Sequence, residues 1–482
     1  MEACIHCAWK RFPRPLERIL HGDFSGSIEF RSGTLPDRFL KGVFVVGEVL
    51  SGLDRRLADW GALVPGGELV PSVQDVQARL RDLARREPGL CRIREIGRSR
   101  QGRALEVLSV GSSRRSVLVV GGPHPNEPVG YATVQFLAEL VTSRPELRDG
   151  LSWHFLPCVD PDAAALNEEW TSAALDLFTQ HRYFYRPALA EQPEWTFPIP
   201  WKDSGEYRFS LPENEALADL VDELEPVVAV SLHNAEFGAP FFIASREVPG
   251  LAGQLAAVAA ARGLPVSEAP SGDVVGWPVL GPGVYRMPPV EDLVIRDHEA
   301  DVPAFGAHLA HYAARHGTLT LLPEVPRWHS AVAFETSPPV ALAVLAESLA
   351  AEAAEVRGLL EEAGRLEGAF ARAAADTAAI GDTVARTWQE RADGGEPVPG
   401  GDLAEAHYTR VMLTLRSAGM AVRALAEAPP SRGTVLAGAR LERLLVERAR
   451  RCERELRVSP IRLNRLVAVQ AFAALAAAEL TR

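Results

Sequence analysis

Val117-Leu118-Val119-Val120-Gly121-Gly122-Pro123-His124-Pro125-Asn126-Glu127 decides the reading of this 482-residue chain. Four apolar residues without polar alternation describe a strand covered on both faces, as at the centre of a mostly parallel sheet. Two glycines then let the backbone turn sharply off the strand, and Pro128 suits the first turn of a following helix. His124 and Glu127 are thus predicted at the carboxyl end of a buried strand, where open α/β sheets bind their ligands.

Outward from this stretch the pattern repeats. Apolar runs at Trp153 to Val159, Val227 to Leu232 and Leu319 to Leu322 have the same character. Helical spacing covers Ser72 to Arg86, Tyr131 to Val141, Glu213 to Leu224, Leu251 to Arg262 and Phe305 to Arg315. Short strands at Cys91 to Ile96 and Ala104 to Val110 flank a polar turn. Strand alternating with helix predicts an α/β domain. His233 follows the third run directly, and Glu324 follows the fourth after one proline. Parallel strands bring these four side chains to one crevice although they lie far apart in the chain. Two imidazoles and a carboxylate make a three-ligand zinc set with a fourth position open, and a second carboxylate can act as base. Spacing alone does not choose the site, because His124/Glu127, His233/Glu236 and His298/Asp301 all place an acid three residues after a histidine. The glycine turn favours the first.

Composition excludes several classes. With 51 basic against 63 acidic side chains and a net charge of -12, the chain has no basic footprint for a phosphate backbone, so no nucleic-acid partner is expected. Apolar runs are broken by charge, Gly or Pro short of the roughly 18 residues of a membrane helix, so no membrane partner is expected either. The first 20 residues lack the apolar core and small-residue cleavage site of a secretory signal. Five cysteines, odd in number and mostly far apart, suit a reducing compartment. A cytoplasmic protein is the expectation. Cys4-x-x-Cys7 lacks a second pair at zinc-finger spacing and reads as two ordinary thiols.

Three divisions follow: an N-terminal segment 1–69, a catalytic domain 70–337 and a helical C-terminal domain 338–482. The last is rich in Ala, Leu, Glu and Arg, with helices expected at Val340 to Thr377, Asp402 to Ala428, Val435 to Arg457 and from Pro460 onward. Breaks near residues 393–397 and 429–431 predict a bundle of hairpins, whose default roles are packing or homo-oligomer formation.

The order of motifs resembles the zinc carboxypeptidase family of the carboxypeptidase A/B type. Ile96 to Arg103 resembles the segment before that family's metal site, and Gly121 to Glu127 its first metal-binding turn. Leu156 to Asp162 is similar to its strand ending in Asn-Pro-Asp. Pro212 to Leu217, leading to Val230-Ser231-Leu232-His233-Asn234, resembles its helix and third ligand, and Leu319 to Pro326 resembles the strand of its catalytic glutamate. The resemblance implies a three-layer α/β/α fold on a mixed, mostly parallel sheet, here with an added C-terminal α-helical region. It implies one Zn2+ held by His124, Glu127 and His233, with Glu324 as general base. It also implies Arg186 as oxyanion partner and Tyr285 as the family's mobile tyrosine.

One departure stands out. The family grips the substrate's terminal carboxylate with an Asn-Arg pair, where this chain reads Pro193-Glu194-Trp195-Thr196-Phe197-Pro198. Glu194 is expected behind His124 as its orienting acceptor. A carboxylate anchor is sought in Arg182, Arg208 or Arg286. His308, His311 and His316 read as an ordinary helix face. The function expected is hydrolysis of an amide at the C-terminus of a small peptide or peptide conjugate. The alternatives are a zinc deacylase of the aspartoacylase or succinylglutamate desuccinylase type, acting on acylated amino acids, and a non-catalytic scaffold working through its tail. Four intact site residues speak against the scaffold.

Overall fold

The computed structural model describes Trp60, residues 63, 64, 66 and 67, and 69–482 apart from 202–204, 268–273, 275, 294–295, 298–301 and 304. The Cys4/Cys7 pair and His298/Asp301 lie outside the described residues.

Helix α1 (Val73–Arg86) begins on a reciprocal cap: the Ser72 side chain accepts from Asp75 N–H while Asp75 accepts from Ser72 N–H. The hairpin β1 (Cys91–Arg98) and β2 (Ala104–Val110) follows, then β3 (Ser116–Val120), α2 (Val129–Ser143), β4 (Ser152–Leu156) and the short α3 (Leu177–Arg182). After α4 (Pro212–Leu224) come β5 (Val228–Ser231), β6 (Phe241–Ala244), α5 (Leu251–Ala261), β7 (Val279–Gly281), β8 (Val284–Arg286), α6 (Leu309–Ala313) and β9 (Leu319–Glu324). The chain ends with β10 (Trp328–Ser330), α7 (Pro339–Ala363), α8 (Ala369–Asp393), α9 (Gly400–Glu427), α10 (Arg432–Leu456), β11 (Val458–Pro460) and α11 (Leu463–Leu480).

Nine strands form one mixed sheet in the order β1-β2-β4-β3-β5-β9-β6-β8-β7. Its centre, β4-β3-β5-β9, is parallel. Antiparallel pairing adds β2 on one side and β6 on the other. Along β3 the residues alternate between two cores: Val117 and Val119 pack with α1, α2, α5 and α11, whereas Leu118 and Val120 pack with α4 and α6. Both faces are covered, which explains why the central strands show no polar alternation.

Three sequence expectations are corrected. The helix expected over 340–377 is two, α7 and α8, broken between Gly364 and Gly368. The helix expected over 305–315 starts only at Leu309, because residue 307 is held extended by pairing with Phe197. Third, 338–482 is not one packing unit. Helices α7 to α10 form the bundle, but α11 packs between α2 and α5 in the sheet core. Buried from Leu466 to Ala478, α11 is apolar nearly all round and must be covered on all sides. Its length and hydropathy would also suit a membrane span, yet 78% of it is buried within the fold. Antiparallel pairing of β10 with β11 closes the neck between them, so the bundle is an insertion between the last two elements of the sheet domain.

The bundle docks tightly. Gly419 of α9 meets α3 so closely that a Cβ there would overlap the His181 carbonyl oxygen. Gly419→Ala is expected to cost about 1–3 kcal/mol by overpacking. A melting temperature equal to that of the unmodified protein would show that this approach does not bear on stability.

Candidate metal centre

The site is built on the carboxyl ends of three adjacent parallel strands. Beyond β3, Gly122 takes φ +50 and a Cβ on it would run into the Tyr131 ring, so the turn that aims His124 and Glu127 requires glycine. His233 lies two residues past β5, its backbone bridged in parallel register to Glu324 at the end of β9. From behind, Gln470 of α11 donates to the His233 carbonyl at 2.7 Å and accepts from Thr133 at 2.7 Å. The terminal helix therefore braces the ligand strand directly.

His124, Glu127 and His233 are all buried, and one ligand atom from each lies within 4.8 Å of the others. Glu127 Oε2 sits 3.0 Å from His233 Nδ1 and accepts from Asn234 N–H at 3.1 Å. Its other oxygen accepts from Arg186 Nη1 at 3.1 Å. Glu324 Oε1 is 3.6 Å from His233 Nδ1. The imidazoles of His124 and His233 meet edge to face at 5.1 Å, and His124 Nδ1 is buried without a hydrogen-bond partner. A buried, unpartnered imidazole nitrogen beside a carboxylate and a second imidazole fits a zinc ion, whose protein ligands are of these types.

Electrostatics agree with that donor set. Burial, reinforced by the Arg186 guanidinium, holds His124 well below the ordinary imidazole range, so it is neutral and able to ligate. For His233 burial acts downward, but the Glu127 and Glu324 carboxylates outweigh it and push the imidazole up to about 10. Without metal it is therefore protonated at neutral pH, whereas a zinc ligand must be neutral. Zinc binding at pH 7 is expected to release about one proton, with affinity rising with pH. Calorimetry in buffers of different ionisation enthalpy reads this directly, and no proton release would contradict the ion-paired His233.

These residues line a cavity of about 400 Å³ together with Arg186, Gln192, Trp195, Trp277, Met287 and His308 from the sheet domain. The bundle supplies the opposite wall: Asp376, Thr377 and Ile380 from α8, and Glu405, Tyr408, Thr409, Met412, Leu413 and Arg416 from α9. Spacings of three and four along α9 place that set on one helix face.

Residues 76–243 match the family of zinc carboxypeptidases. The match covers 168 of the 482 residues. It runs from within α1 into β6 and includes His124, Glu127 and His233, the three candidate ligands, but stops short of Glu324 and the bundle. The match supports a zinc metallopeptidase-like hydrolase. Among solved structures it is similar to carboxypeptidase A from Helicoverpa armigera (16% identity, covering 72% of this chain and 80% of that one, TM-score 0.37). Others are a metallo-carboxypeptidase from Burkholderia cenocepacia (16% identity, covering 52% and 59%, TM-score 0.31) and murein-tripeptide amidase MpaA from Escherichia coli O157 (20% identity, covering 48% and 82%, TM-score 0.26). No curated protein matches the chain.

Several sequence expectations for this candidate site are redrawn. Glu194 is fully buried but does not meet His124. Its Oε1 lies 2.8 Å from His308 Nε2, accepts from Ser231 at 2.9 Å and is 3.6 Å from His233 Nε2. It thus stands behind the nitrogen of His233 that faces away from Glu127. Burial would raise the Glu194 carboxyl, but His308 and His233 hold it down at about 2. His308 is not an ordinary surface residue. It caps α6, its Nδ1 accepting from Ala310 N–H at 2.9 Å, which leaves Nε2 to face Glu194. With Glu194 and His233 it forms a second group whose ligand atoms lie within 4.8 Å. The sequence carries no signal for this, since the helix expected over 305–315 encloses His308, which becomes a cap only because the helix starts at Leu309.

The remaining candidates lie elsewhere. Tyr285 is on β8, buried against Phe241 and away from the cavity lining, because its segment joins the sheet rather than forming an open loop. Arg182 donates to Glu442 of α10 at 2.6 Å, and Arg286 is exposed. Neither lines the cavity. Arg208 pairs with Glu206 on the surface. Thr196 and Phe197, at the place of the Asn-Arg pair, are fully buried and do not line it either.

Proposed function

We propose that the protein is a zinc-dependent carboxypeptidase that removes the C-terminal residue from small peptides or peptide conjugates, in the cytosol. The observation carrying this reading is the meeting of His124, Glu127, His233, Arg186 and Glu324 in one cavity within a zinc carboxypeptidase stretch. Zinc held by His124, Glu127 and His233 would supply Lewis acidity, making water acidic enough to lose a proton near neutral pH and polarising the scissile carbonyl. Glu324 takes the water proton and returns it to the leaving amine. Arg186, anchored on Glu127 and on Gln192 at 3.2 Å, directs its charge at the developing oxyanion. Arg186→Met is expected to lower kcat by about 10²- to 10³-fold with little change in zinc content. An undiminished kcat would remove Arg186 from that role. The walls formed by α8 and α9 limit the cavity to small substrates.

A second reading, a zinc deacylase acting on acylated amino acids, is favoured by one observation: the residues replacing the Asn-Arg pair are buried in the core. Turnover of peptides with a free C-terminus, measured beside N-acetyl-aspartate and N-succinyl-glutamate, separates the two. Deacylation without peptide cleavage would overturn the carboxypeptidase reading.

A further inference from the structure

The cavity has a second guanidinium besides Arg186. Arg416 enters from the inserted bundle on α9, and its side chain is only 11% exposed. Its Nε and Nη2 lie 3.0 and 2.9 Å from the same oxygen, Oε2 of Glu236. The other Glu236 oxygen sits 2.6 Å from His181 Nε2. The guanidinium carbon is 4.9 Å from the centre of the Phe184 ring. Backbone packing fixes the same place: Gly419, one turn beyond Arg416, lets α9 close on His181. The arginine is thus set by the carboxylate at one edge, by the ring beside it and by a tight helix contact.

That arrangement uses one edge of the fork. Nη1 has no partner among the described residues, and Arg416 belongs to the cavity lining that also holds His124 and Glu324. An arginine at a largely dry wall, with one edge held and donors left over, is suited to take a carboxylate. Where the family has its Asn-Arg pair this chain has Thr196 and Phe197, both in the core.

We propose that Arg416 is the anchor for the substrate's free carboxylate, so that the inserted bundle carries the recognition element absent from the sheet domain. This rests on the hydrolase reading above. Met412 and Leu413 of the same helix and Phe237, stacked on its Tyr408, line the cavity as apolar groups, so the favoured substrate ends in a small or medium apolar residue bearing a free α-carboxylate. Glu236 and His181 act through Arg416 and are positioning residues.

The test uses the full-length zinc-loaded protein with benzoyl-Gly-Phe and the same compound amidated at its C-terminus. The unmodified protein is expected to prefer the free acid by at least about tenfold. Arg416→Met is expected to lose about 10²-fold in kcat/KM on the acid, mostly in KM, while the rate on the amide stays near its starting value. Arg416→Lys should recover part of the preference. Calorimetric binding of N-acetyl-phenylalanine gives a readout independent of turnover, and it should disappear in Arg416→Met while zinc content is retained. Should that variant fail to fold, Arg416→Met combined with Glu236→Gln removes both charges and is expected to give the same binding result. Retained preference for the acid, or N-acetyl-phenylalanine binding as tight as before in a folded variant, would overturn the anchor. Hydrolysis of neither compound by the unmodified protein counts against the carboxypeptidase reading instead, and the binding titration still decides the anchor.

Discussion

Glu324→Gln is expected to keep its zinc and lose hydrolysis by about 10²- to 10⁴-fold in kcat, the span that a positioned general base contributes. The expectation comes from where β9 ends. Glu324 is the last residue of that strand, with its side chain 13% exposed at the cavity. Its carboxylate stands 3.6 Å from His233 Nδ1, whereas Glu127 is 3.0 Å from the same nitrogen and is tied down further by Asn234 N–H and Arg186. These contacts suit Glu127 to the ligand role proposed for it, and the position of Glu324 at the cavity suits it to the role of base. Glutamine preserves volume and hydrogen bonding but has no basic oxygen to take a proton. Metal analysis beside kcat separates the roles. Normal turnover with zinc bound would remove Glu324 as base, and loss of zinc together with turnover would make it a ligand.

The residues legible in the sequence were those placed by local chemistry. His124, Glu127, His233 and Glu324 each stand at or just past the end of a buried strand, and parallel pairing of neighbouring strands brings strand ends to one edge wherever the rest of the chain goes. Arg416 gave no such signal. It lies within an Ala/Leu-rich helix that reads as bundle packing, and it reaches the cavity only because the inserted bundle folds back onto α3. By sequence the terminal helix likewise reads as part of the tail. Its burial against α2 and α5 depends on a chain return through β10 and β11, a pairing of three-residue strands too short to announce itself. Glu194 is a buried partner of a candidate ligand histidine, but of His233 rather than the expected His124. Which imidazole a carboxylate meets depends on side-chain direction, and spacing does not specify that. Tyr285 was misread for the opposite reason: Gly and Pro around it suggest a loop, while Val284–Arg286 pairs with β6 and closes the ring into the core.

His124→Ala is expected to lower zinc affinity by more than about 10²-fold, beyond the 10- to 100-fold that loss of an outer hydrogen-bonding partner costs. Two groups of candidate ligands share His233: His124 and Glu127 in front, Glu194 and His308 behind. A change at His233 would weaken either arrangement, so it distinguishes nothing. The outer members do. The front group lines the open cavity beside Arg186 and Glu324, and its His124 Nδ1 has no protein partner to displace. In the rear group Glu194 already accepts from Ser231 and faces His308, and both side chains are fully buried. A cation there would displace those contacts without reaching substrate. Competition with a chelator of known zinc affinity should therefore show a large loss in His124→Ala and a smaller one in Glu194→Gln, where only the far side of His233 is released. Loss in His308→Ala with full retention in His124→Ala would move the metal behind His233, and would take Glu324 and Arg186 out of reach of the reacting carbonyl.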